Sequence, residues 1–451
     1  MLPPGTIGRD IYSRAFKFAR EERGILSLLG IRQTGKSTLS LQLIEGLLYS
    51  GIKPAQIFYF TFDDLSLRQD LSASFGNFLK ITERFLGEDV ERHKGCLYIF
   101  IDEVQKLPGF TEYIKSLYDL RLPVKWILTG SSSLELRSQI KESLAGRVLT
   151  VTVSPFSEAE IFRGNGLTPP VRKDMWQFLF GGASPDKKAL KKFQAEIMPQ
   201  KTDIQKYFEE YMVFGGLPAV VLSPDAERKN ILLKNYRDTY LEQDIRTLVR
   251  EDKLWVYQKI MELLASRTGD LLNYSNIASQ MEVSVDTVKR YFLLLEKTFI
   301  IKHLPTYSRN VRSELLKTPK VYFTDTGIRN SLLGLNNILQ IERLNQFGAV
   351  FENAILERLN TAMFLSGHEA RLYYWRTKAK EEVDIVIYTP ERLLPVEVKS
   401  DKKIKARHLR GIRSFLNKEK EKIGILIGRF ENADILEEDK TLIYLLPYWM
   451  I

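Results

Sequence analysis

The sequence predicts an α/β protein of several domains: an N-terminal parallel sheet around a phosphate-binding loop, a mainly helical middle ending in a winged helix-turn-helix, and a C-terminal α/β domain. Three observations carry that expectation. Gly30-Ile-Arg-Gln-Thr-Gly-Lys-Ser37 is a glycine-bounded loop between a short apolar run and a helical stretch. β-rich runs then succeed one another at separations that leave room for helical crossovers. From Tyr373 onward, alternating strands return after a helical tract. A chain of 451 residues exceeds what one core supports, and the segments read as 1–163, 164–250, 251–335 and 336–451.

Composition limits the function classes. Hydrophobic residues make up 44% and charged residues 27%, and no apolar run reaches the ~18 residues that span a bilayer, so no membrane is expected as a partner. The opening Met-Leu-Pro-Pro-Gly lacks a basic segment followed by an apolar stretch, so no secretory signal is expected. Cys96 is the one cysteine, which leaves no internal disulfide framework and favours the cytoplasm. A net charge of +10 permits nucleic acid as a partner without requiring it.

The elements follow in order. Ile25, Leu26, Leu28 and Leu29 form a buried strand, and Thr38 to Leu48 a helix that Gly51 stops. Between them Gly30, Arg32, Gln33, Thr34, Gly35, Lys36, Ser37 and Thr38 form a Walker A loop. Its backbone N–H groups and the helix N-terminus converge on nucleotide phosphates, Lys36 reaches the β- and γ-phosphates of ATP, and Ser37 supplies a hydroxyl to Mg²⁺. Strands are expected over Gln56 to Thr61, Leu97 to Ile101, Val124 to Thr129 and Arg147 to Val153. The second of these delivers Asp102 and Glu103 to its tip, a Walker B pair in which Asp102 serves Mg²⁺ and Glu103 orients or deprotonates the attacking water. Thr129 and Ser131 stand where a sensor of the γ-phosphate would sit, although both also suit an ordinary turn. Arg147 is an arginine-finger candidate acting on a neighbour's γ-phosphate, against the plainer reading of a surface arginine paired with a carboxylate. A finger in trans implies a homo-oligomer, a hexamer among the options. From Gly164 to Lys201 the chain turns polar and proline-bearing, which reads as a linker or lid.

These motifs together resemble a family of bacterial and archaeal AAA-type ATPases. The matching residues are Gly30 to Ser37 with Arg32 and Gln33, Asp102 to Gln105, Thr129 to Ser132 and Leu144 to Arg147. Phe214-Gly-Gly-Leu-Pro218, Tyr240 to Ile245 and Lys320 to Gly327 look like blocks of that family's C-terminal half, so the resemblance covers nearly the whole chain. It implies an AAA+ (ASCE) P-loop ATPase joined to a helix-turn-helix region and a restriction-nuclease-like end.

Asn273 to Lys297 reads as helix, turn, helix, with Ser284 capping the second helix. Phe299 to Tyr307 and Lys320 to Phe323 would form the wing. Lys289, Arg290, Arg309 and Arg312 are the DNA-contact candidates, although such units also serve as packing modules. Farther on, Tyr373 to Trp375, Glu382 to Tyr388 and Leu393 to Val398 read as strands after a helix bearing Glu352. Strand alternation puts Glu397 and Lys399 on one face near Asp384. Two carboxylates and a lysine suit Mg²⁺-assisted phosphodiester hydrolysis, with Asp384 and Glu397 as ligands. The set Glu352, Asp384, Glu397 and Lys399 resembles the PD-(D/E)XK nuclease core, departing from it in that Val383 stands where the proline would be. Lys402 to Arg413 adds basic residues beside an apolar stripe of Leu409, Ile412 and Phe415, a helix that would offer its charges to phosphates. The function expected is a Mg²⁺-dependent ATPase acting on DNA, with a nuclease-like module that binds or cuts; the alternative is a nucleotide-controlled switch or scaffold.

Overall fold

The computed structural model describes residues 2, 5–21, 24–131, 144, 146–170, 172–246, 248–310, 318–438 and 440–451. The chain divides into two compact units, Met1–Phe156 with Lys297–Phe299, and Ser157–Glu296 with Ile300–Ile451. Among the described residues no helix is long and apolar enough to cross a membrane.

The first unit is a parallel sheet of β1 (Ile25–Gly30), β2 (Ile57–Thr61), β3 (Leu97–Asp102), β4 (Val124–Ser131) and β5 (Val148–Thr152), in the order β2-β3-β4-β1-β5. Its central strands are buried and mostly apolar: every residue of β1 and β3 is buried, as a sheet covered on both faces requires. Helices α1 (Tyr12–Glu21), α2 (Lys36–Tyr49), α3 (Leu65–Ala73), α4 (Gly76–Leu86) and α5 (Phe110–Asp119) supply the cover. One core joins α1 and α2 to the sheet through Ala15, Leu39 and Leu43 against Leu26 and Leu28. The other packs Phe78, Phe110 and Ile114 against Ile99, Ile101 and Trp126. Because β4 lies between β1 and β3, the Walker A and Walker B strand ends are neighbours but not paired.

The second unit begins with α6 (Glu158–Gly164), α7 (Lys173–Phe180), α8 (Lys187–Ile197), α9 (Lys201–Phe214) and α10 (Ala226–Thr239). Much of 164–201, expected as an irregular linker or lid, is therefore helical, in α7 and α8. Asp186 caps α8 by accepting from the Ala189 N–H at 2.7 Å, and Met175, Phe178, Leu179 and Leu190 bury the faces that the polar residues concealed in sequence. Next come α11 (Leu254–Ser266), α12 (Tyr274–Gln280) and α13 (Val285–Lys297), followed by the antiparallel pair β6 (Ile301–Leu304) and β7 (Lys320–Phe323). Ser284 Oγ accepts from the Thr287 N–H at 3.1 Å at the start of α13. After α14 (Thr326–Leu332) and α15 (Phe347–Ser366), a mixed sheet runs β12-β13-β11-β10-β9-β8. Its strands are β8 (Arg371–Arg376), β9 (Glu382–Tyr388), β10 (Leu393–Lys399), β11 (Ile423–Gly428), β12 (Asp434–Glu438) and β13 (Thr441–Pro447). Helix α16 (Arg410–Glu419) packs on it through Ile412 and Leu416 against Leu426 and Ile443. Gly411 permits the close approach, since a Cβ there would lie 1.8 Å from the Glu382 carbonyl oxygen.

Candidate ATPase site and carboxylate cluster

The loop after β1 is shaped by contacts that its sequence demands. Gly30 cannot be replaced without a shift, because a Cβ would meet the Val153 carbonyl oxygen at 2.2 Å. Gln33, with φ 62°, and Gly35, with φ 85°, turn the chain through the left-handed region, and Gly35 caps α2. Thr34 is buried and its hydroxyl donates to the Ile31 carbonyl at 3.0 Å. Lys36, also buried, donates to the Gly30 and Ile31 carbonyls at 3.1 and 2.8 Å. Arg32 is half-buried, Gln33 exposed, and Ser37 and Thr38 half-buried at the start of α2.

Asp102 is the centre of the site. Ser37 Oγ donates to its Oδ2 at 2.9 Å, the Tyr59 hydroxyl donates to the same oxygen at 3.0 Å, and the Thr129 hydroxyl donates to Oδ1. Burial and then the Asp102 carboxylate push the Tyr59 phenol well above its usual range, so Tyr59 stays a donor. Thr129 reaches Asp102 because β4 is inserted between β1 and β3, and its hydroxyl also accepts from the Glu103 N–H at 3.2 Å. Glu103 takes a left-handed backbone, φ 57° and ψ 45°, and Gln105 donates to its carboxylate. The Ser37 hydroxyl beside the Asp102 carboxylate is a hard-oxygen pair that fits Mg²⁺. Those two residues would hold the ion, which supplies charge neutralisation for phosphate.

Sequence reasoning assigned no role to Tyr59, Gln105 or Arg9. Arg9 is buried, and its guanidinium donates to the Thr34 carbonyl at 2.5 Å and to the Ser154 carbonyl at 2.7 Å, tying the loop to the end of β5. No local motif marks it, since its partners lie 25 and 145 residues away. Ser131 ends β4, and its side chain lies outside the described residues. Arg147 precedes β5, and its carbonyl accepts from the Ile25 N–H at 2.8 Å, at the end of β1 opposite Gly30. Its Nε donates to Asp119 at 2.9 Å. At ~3.3 Å per residue, the length of β1 separates Arg147 from the phosphate loop of the same chain.

In the second unit, Glu352, Asp384, Glu397 and Lys399 come together from α15, β9 and β10. Lys399 Nζ lies 3.0 Å from Asp384 and 2.7 Å from Glu397. The Val398 N–H donates to Asp384 at 2.9 Å. A fifth member was not foreseen: Lys320 of β7, buried, lies 2.7 Å from Glu382, 3.4 Å from Glu352 and 3.6 Å from Asp384. Burial pushes Asp384 up, but the Lys399 and Lys320 ammoniums outweigh it and hold the carboxyl below its ordinary value. Burial and then Asp384 push Glu397 up to about 8, and burial raises Glu352 against the pull of Lys320. These carboxylates do not fit a divalent ion as they stand, because Lys399 bridges Asp384 and Glu397 and Lys320 bridges Asp384 and Glu352. Among the described residues no group of three or more His, Cys, Asp or Glu side chains forms a metal cage.

The expected DNA contacts diverge. Lys289 and Arg290 are exposed on α13, Lys289 lying 3.9 Å from Asp286. Arg309 is exposed but engaged: its Nε donates to Glu419 at 2.7 Å, so it fastens the end of α16. Arg312 lies outside the described residues. Beside α16, Arg407, Arg410, Arg413 and Lys418 line a shallow groove of about 710 Å³, with Arg413 engaged by Glu438 at 2.6 and 2.7 Å.

Comparison with known proteins matches three stretches of the chain to family models. Residues 22–162 match the model of an AAA domain, 205–338 a domain of unknown function (DUF8612), and 347–449 another domain of unknown function (DUF4143). The chain is similar to the uncharacterized protein Rv2008c of Mycobacterium tuberculosis, 26% identical over 302 residues, covering 67% of this chain and 58% of that one. The match thus spans less than two thirds of the mycobacterial relative. It is also similar to the uncharacterized protein MJ1544 of Methanocaldococcus jannaschii, 22% identical over 433 residues, covering 94% of this chain and 86% of that one. Among solved structures, the Walker-type ATPase PABY2304 of Pyrococcus abyssi aligns with a TM-score of 0.44 at 18% identity, covering 73% of this chain and 96% of that one. With the Walker residues gathered on a five-stranded parallel sheet and the AAA model matching over the same span, residues 22–162 are an AAA-type P-loop ATPase domain.

Proposed function

We propose that the chain is a Mg²⁺-dependent ATP hydrolase that acts on DNA, turning over ATP in the first unit and holding nucleic acid on the second. The observation that supports hydrolysis is the meeting of Ser37, Asp102 and Thr129 at the strand tips, with Glu103 held beside them by Gln105. Lys36 and the loop N–H groups bind the phosphates, Asp102 and Ser37 hold Mg²⁺, and Glu103 positions water, so the barrier falls through placement and charge stabilisation. Glu103→Gln should lower turnover at least ~100-fold while ATP binding persists, in line with the loss of a general base. Undiminished hydrolysis in that variant overturns the assignment.

The DNA part of the reading is supported by the exposed Arg407, just before α16, and Arg410 and Lys418 on it, charges suited to phosphates, whereas Arg413 is paired with Glu438. Duplex DNA should accelerate ATP hydrolysis many-fold, and binding should weaken as salt rises. A nucleotide-controlled switch, in which the carboxylate cluster only binds and does not cut, is the second reading, favoured by Lys320 among the carboxylates. DNA that leaves the ATPase rate unchanged selects it.

A further inference from the structure

The second unit contains a buried lysine that neither the ATPase chemistry nor the DNA reading uses. Lys320 opens β7 at 3% exposure, and strand alternation puts its side chain on the same face as Tyr322. The Tyr322 hydroxyl donates to Glu352 Oε1 at 2.5 Å, while Lys320 Nζ spans Glu352, Glu382 and Asp384 at 3.4, 2.7 and 3.6 Å. Lys399 bridges Asp384 and Glu397 from the other side at 3.0 and 2.7 Å. Glu397 Oε2 is buried and has no hydrogen-bond partner, an oxygen left over once Lys399 has taken Oε1.

The arithmetic of charge is that of a metal site with the metal replaced. Glu352, Glu382 and Asp384, the carboxylates that Lys320 reaches, carry hard oxygens of the class that binds a small divalent ion, which seats its ligand oxygens at ~2.0–2.1 Å in the case of Mg²⁺, but as they are placed they form no metal cage. Two ammoniums now bring the charge such an ion would bring: the Nζ of Lys320 stands where oxygens of Glu352, Glu382 and Asp384 converge, and Lys399 holds Asp384 and Glu397. A buried cation is stable only when paired in this way, so Lys320 and the cluster neutralise one another. We propose that Lys320 is an internal cation delivered by β7, which takes the place of a divalent ion in the carboxylate cluster and keeps the cluster free of divalent metal while β7 is seated.

This inference goes beyond the ATPase and DNA reading, since loss of DNA binding would leave it standing. It is tested on the full chain without nucleotide by titrating Mn²⁺ and following free Mn²⁺ by electron paramagnetic resonance. Four proteins are compared: the natural sequence, Asp384→Asn, Lys320→Met and the double variant. The natural chain and Asp384→Asn should bind Mn²⁺ alike, while Lys320→Met should gain one site at least tenfold tighter that disappears in the double variant. An Asp384-dependent Mn²⁺ site in the natural chain overturns the proposal, as does a folded Lys320→Met protein that gains none. Circular dichroism reports whether Lys320→Met folds. If it does not, the natural chain against Asp384→Asn decides: equal Mn²⁺ binding supports the proposal and an Asp384-dependent site overturns it.

Discussion

At the residue scale, the blocks Phe214 to Pro218 and Lys320 to Gly327 resolve into one packed knot. Asp325, fully buried, accepts from the Gly216 N–H at 2.7 Å and from the Ile328 N–H at 2.9 Å. Gly215 takes φ 72° and ψ −163°, a region open essentially to glycine, and a Cβ there would lie 2.0 Å from Asp325 Oδ1. Gly215→Ala should therefore destabilise the second unit by at least ~2 kcal/mol, combining backbone strain with the clash, as read by denaturant unfolding. Burial raises Asp325 to about 6 against the pull of its N–H donors. A folded value above the unfolded one means that the contribution of Asp325 to stability is greatest below about pH 4, falls as pH rises to about 6, and is level beyond. The change amounts to about 3 kcal/mol for a shift of some two pKa units. The stability difference between the natural chain and Asp325→Asn should follow that course between pH 4 and 7, and a difference independent of pH would refute it.

At the scale of elements, the insertion of β4 between β1 and β3 decides the ATPase site. It brings Thr129 beside Asp102, a pairing of residues 27 apart in sequence that no motif spacing specifies. The parallel pairing of β1 with β5 has the opposite consequence for Arg147, which lies at the far strand end with Asp119. If Arg147 serves a neighbouring subunit, mixing Arg147→Ala with Glu103→Gln should restore part of the ATPase activity that each lacks alone; no recovery at any ratio assigns Arg147 to its intramolecular pair. For α16, the apolar stripe was legible because Ile412 and Phe415 recur at helical spacing, and both are buried. Arg407→Glu with Arg410→Glu should weaken DNA binding and reduce the slope of log affinity against log salt by about 0.9 for each phosphate that is no longer neutralised. An unchanged slope would place the DNA elsewhere.

At the scale of the whole molecule, two compact units predict two unfolding events. ATP with Mg²⁺ at a hundredfold excess over Kd should stabilise the first unit by about 2.7 kcal/mol, or roughly 5–10 °C in Tm, and leave the second transition in place. Differential scanning calorimetry distinguishes this from a single transition that moves as one. The sequence by itself determined the Walker loop, the Walker B pair and the succession of strands and helices, because each is a local pattern: a glycine spacing, a strand tip, a hydrophobic period. It also placed Asp384, Glu397 and Lys399 in one neighbourhood, through strand alternation and the short connection between β9 and β10, and added Glu352 through the resemblance to a nuclease core. Residues 164–201 misled it, since proline and lysine density hid the apolar faces of α7 and α8. Only the tertiary structure decided that Arg9 braces the phosphate loop, that Arg309 fastens Glu419, and that Lys320 enters the carboxylate cluster. The physical reason is common to all three. Each is a buried or anchored charge whose partner, a backbone carbonyl for Arg9 and a carboxylate for Arg309 and Lys320, lies far along the chain and is met only by folding, which no local periodicity records.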